Sequence, residues 1–271
     1  MVSKVQVPWL LGTHEIEYLW IIPEEAPAER VFVFLHEGLG SISLWRDFPQ
    51  RLCEALGVRG LVFSRWGYGA STPRRPEERW GPDFMHLQAL EFLPVFFRVL
   101  GLDLGKARLW LYGHSDGGSI ALIYASHCPE GLEGLIVAAP HVFVEEITIR
   151  SIQAAREAYT AGNLKAKLAR HHKDPDSAFF GWCDAWLDPR FRSWDIRSLI
   201  PKIQAPILAI QGYDDEYGTM LQIEEIARLA RFAKVVKLEN CGHSPHRDQP
   251  EAVIQVAKEF LIAVSSNTGL T

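Results

Sequence analysis

Residues 111–122 read LYGHSDGGSIAL, a serine set among three glycines inside an otherwise apolar run. Glycine costs about 1 kcal/mol relative to alanine inside a helix, so Gly113, Gly117 and Gly118 mark a backbone need around Ser115. A serine hydroxyl is a poor nucleophile until a base takes its proton, and the base needs a carboxylate to orient it. Downstream the chain offers both. The segment GYDDEYG (212–218) carries Asp214, Asp215 and Glu216, and ENCGHSPHRD (239–248) carries His243 and His246. The chemistry of such a set is acyl transfer through a covalent serine adduct. That chemistry also needs N–H donors for the developing oxyanion, and FLHEGLGSISLW (34–45) follows a strand and leads to a helix.

These residues must be positioned by regular elements. Apolar, β-branched or aromatic runs at 16–22, 31–35, 61–64, 108–112, 135–139, 206–212 and 235–239 predict strands. Helical spacing predicts helices at 44–56 and at about 84–100, 116–127, 219–232 and 249–263. Continuous apolar strands alternating with helices imply a mostly parallel sheet covered on both faces. Ser115 then falls on a sharp strand-to-helix turn. There Gly113 and Gly117 relieve crowding, Gly118 lets the helix pack closely, and the first helical N–H groups face what the serine attacks. Residues 141–200 break the alternation. They read as short helices without a strand, with Pro175 and Pro189 between, and form an insertion over the sheet. The expected division is a core of 1–140 and 201–271 and a helical cap of 141–200.

Bulk properties narrow the function. The 271 residues are 48% hydrophobic, enough for one large core, and the net charge of −5 with no lysine/arginine block speaks against a nucleic-acid partner. No apolar run reaches the ~20 residues that span a bilayer, and the N-terminal residues lack the pattern of a secretory signal. Cys53, Cys128, Cys183 and Cys241 are scattered without CxxC spacing. The expectation is a cytoplasmic protein with reduced cysteines, no metal, no cofactor and no membrane partner.

The motif Gly113-His114-Ser115-Asp116-Gly117 resembles the nucleophile elbow of the α/β-hydrolase fold, a serine hydrolase or esterase-like member with a helical cap. In that family the order is nucleophile, acid, histidine. The resemblance implies Ser115 as nucleophile, Asp215 as acid (Asp214 being the alternative register) and His243 as base, with His246 as competitor and His114 as a packing residue. The loop at 34–45 resembles the family's His-Gly-x-x-Gly-Ser segment and implies the backbone N–H groups of Gly38 and Asp116 as oxyanion donors. Glu37 stands where the family usually has glycine. It either hydrogen-bonds substrate or water, or turns away to backbone. SRWGYGAST (64–72) resembles an architectural turn of the family. In the cap, Phe179, Phe180, Trp182, Trp186, Phe191 and Trp194 form an aromatic set, mostly cap core. Trp182 and Trp186 are candidates for substrate contact. Arg150, Arg156 and Arg170 are candidates for a substrate carboxylate or for an exposed face.

Dehalogenases and epoxide hydrolases of this fold place aspartate at the nucleophile, which Ser115 argues against. Meta-cleavage-product hydrolases share the triad but usually carry asparagine before the serine and tryptophan after the histidine, where this chain has His114 and Ser244. The resemblance therefore implies a hydrolase of a small or medium, largely apolar carboxylic ester. Carbon–carbon bond hydrolysis comes second, and a non-catalytic small-ligand receptor is the alternative of another class.

Overall fold

The computed structural model describes residues 1–10 and 12–268. Eight strands form one sheet: β1 (Ser3–Trp9), β2 (Gly12–Ile21), β3 (Arg30–Leu35), β4 (Arg59–Phe63), β5 (Arg108–His114), β6 (Leu132–Ala138), β7 (Ile207–Gly212) and β8 (Ala233–Leu238), in the order β1-β2-β4-β3-β5-β6-β7-β8. The β1–β2 and β2–β4 pairs are antiparallel and the rest parallel. Between and after them lie α1 (Phe48–Leu56), α2 (Phe84–Leu87), α3 (Leu93–Val99), α4 (Asp116–His127), α5 (Glu146–Thr160), α6 (Leu164–Leu168), α7 (Pro175–Leu187), α8 (Leu221–Leu229), α9 (Pro245–Asp248) and α10 (Pro250–Thr268). Among the described residues no helix is long and apolar enough to cross a membrane.

The central strands are buried end to end because helices cover both faces. Val31, Val33 and Leu35 of β3 pack into one apolar cluster, and Phe32 and Phe34 into the other. Period-2 alternation thus feeds two cores instead of one core and solvent.

The structure adds one strand to the predicted runs and corrects two helices. The added strand, β1, carries Pro8, and a proline is tolerated there because β1 is the sheet's edge. The helix expected at 44–56 is a 3₁₀ turn (Ile42–Trp45) followed by α1, with Arg46 at φ 53° between them. Pro49 lacks an N–H and its ring clashes with the preceding turn, so the helix restarts. The helix expected at 84–100 contains a π-turn over Gln88–Phe92. Pro94 stands just after it and has no N–H for the carbonyl of Leu90, and the wider turn absorbs that mismatch.

Strand register decides where the chemistry sits. Leu35 lies beside Gly113, His114 beside Ala138, Ala138 beside Ile210, and Gly212 beside Leu238. The carboxyl ends of β3, β5, β7 and β8 therefore share one edge, the usual site edge of an open parallel sheet. The segment between β6 and β7 holds helices and 3₁₀ turns, with one isolated bridge from Phe143 to Asp195.

Candidate active site

Ser115 leaves β5 with φ 53° and ψ −120°, and α4 begins at the next residue. A side chain on Gly117 would collide with the carbonyl of Leu35, and one on Gly113 with the backbone of Gly117 and Gly118. The glycines flanking the serine are thus demanded by close backbone approach. Such strain at a non-glycine residue costs about 1–3 kcal/mol and persists where surrounding structure over-determines it.

The Ser115 hydroxyl lies 2.9 Å from His243 Nε2. His243 Nδ1 lies 2.8 and 2.9 Å from the two carboxylate oxygens of Asp215. Asp215 is buried and further held by the N–H groups of Tyr217 (2.8 Å) and Gly218 (3.1 Å) and by Gln211 Nε2 (2.9 Å). Asp214 is exposed and has no part in this line of contacts. Burial opposes charge on His243, but Asp215 beside it, then Glu216 and Glu37, prevail and hold its pKa above the ordinary value. Burial likewise opposes charge on Asp215, and the imidazole and backbone N–H groups prevail in holding it low.

The loop after β3 shows why Glu37 is accommodated. Its carbonyl accepts from His36 Nδ1 (2.7 Å), Arg65 Nη2 (2.9 Å) and Gly40 N (3.1 Å). A peptide's C=O and the next N–H point in opposite directions. Three donors fixing the carbonyl of Glu37 therefore fix the direction of the Gly38 N–H. The Glu37 side chain folds over Gly40, where any side chain would meet its carboxylate, and turns toward His114 Nδ1 at 3.4 Å. Burial works to raise the Glu37 carboxyl, but its contact with His114 prevails and holds it well below the usual carboxylate range.

Both expected oxyanion donors are contacted from the insertion. A side chain on Gly38 would run into the Trp182 indole, which lies directly over the loop. Trp186 Nε1 donates to Asp116 Oδ1 at 3.1 Å, and Asp116 Oδ2 lies 4.0 Å from the buried Arg65 guanidinium. Burial pushes the Asp116 carboxyl up to about 6, with Arg65 and Trp186 pulling the other way.

Together these groups line a cavity of about 170 Å³. Ser115, Gly38, Asp116, His243, Glu37, Trp182 and Trp186 share it with His141, Thr148, Ile152, Glu216 and Tyr217. Neither lysine nor arginine is among its lining residues. The arginines proposed for a carboxylate do not reach it: Arg156 pairs with Asp184 at 3.5 Å, and Arg150 and Arg170 are exposed. His246 stands at the start of α9 and is buried against Trp45 and Phe48, away from the Ser115 hydroxyl that His243 contacts. His114 does more than pack, since its Nε2 donates to the carbonyl of His243 at 2.7 Å. Sequence reading missed Gln211, His36, Arg65 and His141. Gln211 left a trace, a polar residue at the end of a buried strand. The arrangement can activate a hydroxyl, orient the base and stabilise an oxyanion, which are the parts of acyl transfer.

Residues 32–256 match the alpha/beta hydrolase family, and the chain belongs to it. The serine hydrolase BPHL of Mus musculus is 23% identical over 234 residues, covering 79% of this chain and 74% of that one. A 2-succinyl-6-hydroxy-2,4-cyclohexadiene-1-carboxylate synthase of Klebsiella pneumoniae is 26% identical over 267 residues, covering 84% and 92%. A thermophilic esterase from Thermogutta terrifontis superposes with TM-score 0.74 at 19% identity over 97% of this chain and 99% of that one. The proline iminopeptidase of Mycobacterium smegmatis gives 0.75 at 19%, over 98% and 100%. These structural likenesses show the fold alone.

Proposed function

We propose that the chain is a serine hydrolase that cleaves a small, largely apolar carboxylic ester through an acyl-enzyme, with residues 141–200 as a cap over the site. The observation that carries this reading is the Ser115 hydroxyl 2.9 Å from His243 Nε2, on a strained turn that opens into the cavity. His243 takes the Ser115 proton as Oγ bonds to the ester carbonyl carbon. The N–H groups of Gly38 and Asp116 receive the oxyanion. The C–O bond breaks, the alcohol leaves with the proton from His243, and water reverses the sequence on the acyl-enzyme. Trp182 and Trp186 brace the two donor residues from above. The cap on this reading shapes the oxyanion hole as well as the substrate space.

The cavity's volume suits a short acyl group, and its charges favour one without a free acid. A carboxylate-bearing substrate meets Asp116 and Glu216 and no fixed cation in the lining. That weighs against carbon–carbon hydrolysis of acidic substrates. Purified protein is expected to release nitrophenol from the acetate and butyrate esters, at a kcat/KM at least about tenfold above that for the hemisuccinate ester. No release from any ester, with Ser115 unlabelled by a fluorophosphonate, would leave the receptor reading. A preference for the hemisuccinate would overturn the charge argument.

The pH dependence follows from the base. His243 accepts a proton only when neutral, and its surroundings raise its pKa. Activity is therefore lost as pH falls through that raised value. The acidic midpoint of kcat/KM is expected above the ordinary imidazole value of about 6.5. A midpoint below it would show that Asp215 does not govern the imidazole.

A further inference from the structure

Glu37, His114 and His246 are three residues that the family pattern leaves unexplained, and they meet at one place. His114 Nδ1 lies 3.4 Å from Glu37 Oε2, and the His114 and His246 rings are 4.7 Å apart. His114 is 1% exposed. Its Nε2 lies 2.7 Å from the main-chain carbonyl of His243. A carbonyl only accepts, so Nε2 carries hydrogen. A neutral ring then has a bare lone pair at Nδ1, facing a carboxylate oxygen. His114 is buried while the Glu37 side chain is 22% exposed and lines the cavity, and a proton between the two acceptors relieves their approach.

The neighbouring groups leave this proton to the pair. His36 donates from Nδ1 to the Glu37 carbonyl and accepts at Nε2 from Arg65 N, so it is a neutral tautomer. His172 accepts at Nδ1 from Gly69 N and donates from Nε2 to the Leu39 carbonyl, so it is neutral too. Burial pushes His141 down to about 3 and His246 well below its ordinary value. Arg65 is engaged by the Glu37 carbonyl and stands 4.0 Å from Asp116. Asp215 and Glu216 face His243 from the loop after β7.

We propose that Glu37 and His114 share one proton as a positioning pair, which ties the oxyanion loop to the His243 loop and keeps the Glu37 carboxyl from opposing the oxyanion. The inference rests on the serine-hydrolase reading for its kinetic consequence, though not for the proton itself. Gly38, whose N–H receives the oxyanion, is the residue after Glu37. An uncompensated carboxylate there would oppose the negative charge of the tetrahedral intermediate. With the proton present the pair is neutral overall. Loss of the proton at high pH exposes that charge and slows acylation. Glu37 thus acts through His114 and its own neighbour, not on the substrate.

Two measurements test the pair. In the first, kcat/KM for a nitrophenyl ester is followed from about pH 6 to about pH 10 for the wild type and Glu37→Gln. The glutamine amide can donate to Nδ1 of a neutral His114 and does not titrate. The ratio of variant to wild type is expected to rise at least about fivefold from neutral to alkaline pH. A ratio constant across pH, whatever its size, would mean that Glu37 is structural and would overturn the proposal. In the second, nitrogen-15 histidine spectra of the full chain are assigned with His114→Phe. Nδ1 of His114 should be protonated or strongly hydrogen-bonded in the wild type and become a bare acceptor in Glu37→Leu. A bare Nδ1 already in the wild type would overturn the shared proton. This second readout stands even if no ester is hydrolysed, so failure of the pair and failure of the hydrolase reading are told apart.

Discussion

Ser115→Ala should cut ester turnover by about 10⁴–10⁶-fold while leaving the fold intact. The oxygen that attacks the carbonyl is removed, and no other hydroxyl is hydrogen-bonded to His243 Nε2 among the described contacts. The alanine keeps the same backbone, so its stability should stay near that of the wild type. Ser115→Gly separates strain from chemistry. At φ 53° a serine bears a cost that glycine does not. The glycine variant should therefore be equally inactive yet more stable, by about 1 kcal/mol in denaturant unfolding. Function and stability would then oppose each other at one residue. Near-normal turnover in Ser115→Ala, or a fluorophosphonate adduct on another residue, would remove Ser115 from the mechanism.

How much of this was legible beforehand depends on whether a residue's constraint is local. Gly113 announces the strained turn because the clash it avoids is with the next helical turn at Gly117 and Gly118, whereas the clash that Gly117 avoids, with the carbonyl of Leu35, lies far away in sequence. The strands β3 to β7 announce themselves because burial on both faces leaves apolar runs, whereas β8, at the far edge of the sheet, is mostly exposed or half-buried. Asp214 and Asp215 both follow β7, and only the family's Gly-x-x-Asp spacing from Gly212 favoured Asp215; the structure buries Asp215 and exposes Asp214. What the sequence hid are contacts across long separations. Trp186 reaches Asp116 over 70 positions, and Arg65 reaches Glu37 over 28. His114 looked like packing because its two polar partners, Glu37 and the carbonyl of His243, are 77 and 129 positions away. The breaks at Arg46 and at the π-turn were missed for another reason. Apolar spacing reports which face is buried, not whether a proline further along lets the helix run through.

Asp215→Asn should lower kcat by about 10³–10⁴-fold with little change in KM. The carboxylate accepts from four donors: the N–H groups of Tyr217 and Gly218, Gln211 Nε2 and His243 Nδ1. An asparagine supplies one oxygen and one NH₂. If the oxygen keeps the two backbone N–H groups, the NH₂ faces the Gln211 amide, donor against donor, and His243 Nδ1. The imidazole must then present a lone pair at Nδ1 and its proton at Nε2, toward Ser115. In that tautomer it cannot take the serine's proton. Substrate contacts in the cavity are untouched, because Asp215 is not among its lining residues. Asp214→Asn is the control. It is exposed, and its backbone N–H, which bonds the Cys241 carbonyl at 2.9 Å, survives the change. Its turnover should stay within about twofold and its stability within about 0.5 kcal/mol of the wild type. Equal losses in both variants would point to collapse of the loop after β7. A loss confined to Asp214→Asn would shift the acid by one residue and contradict the hydrogen bonds that hold His243.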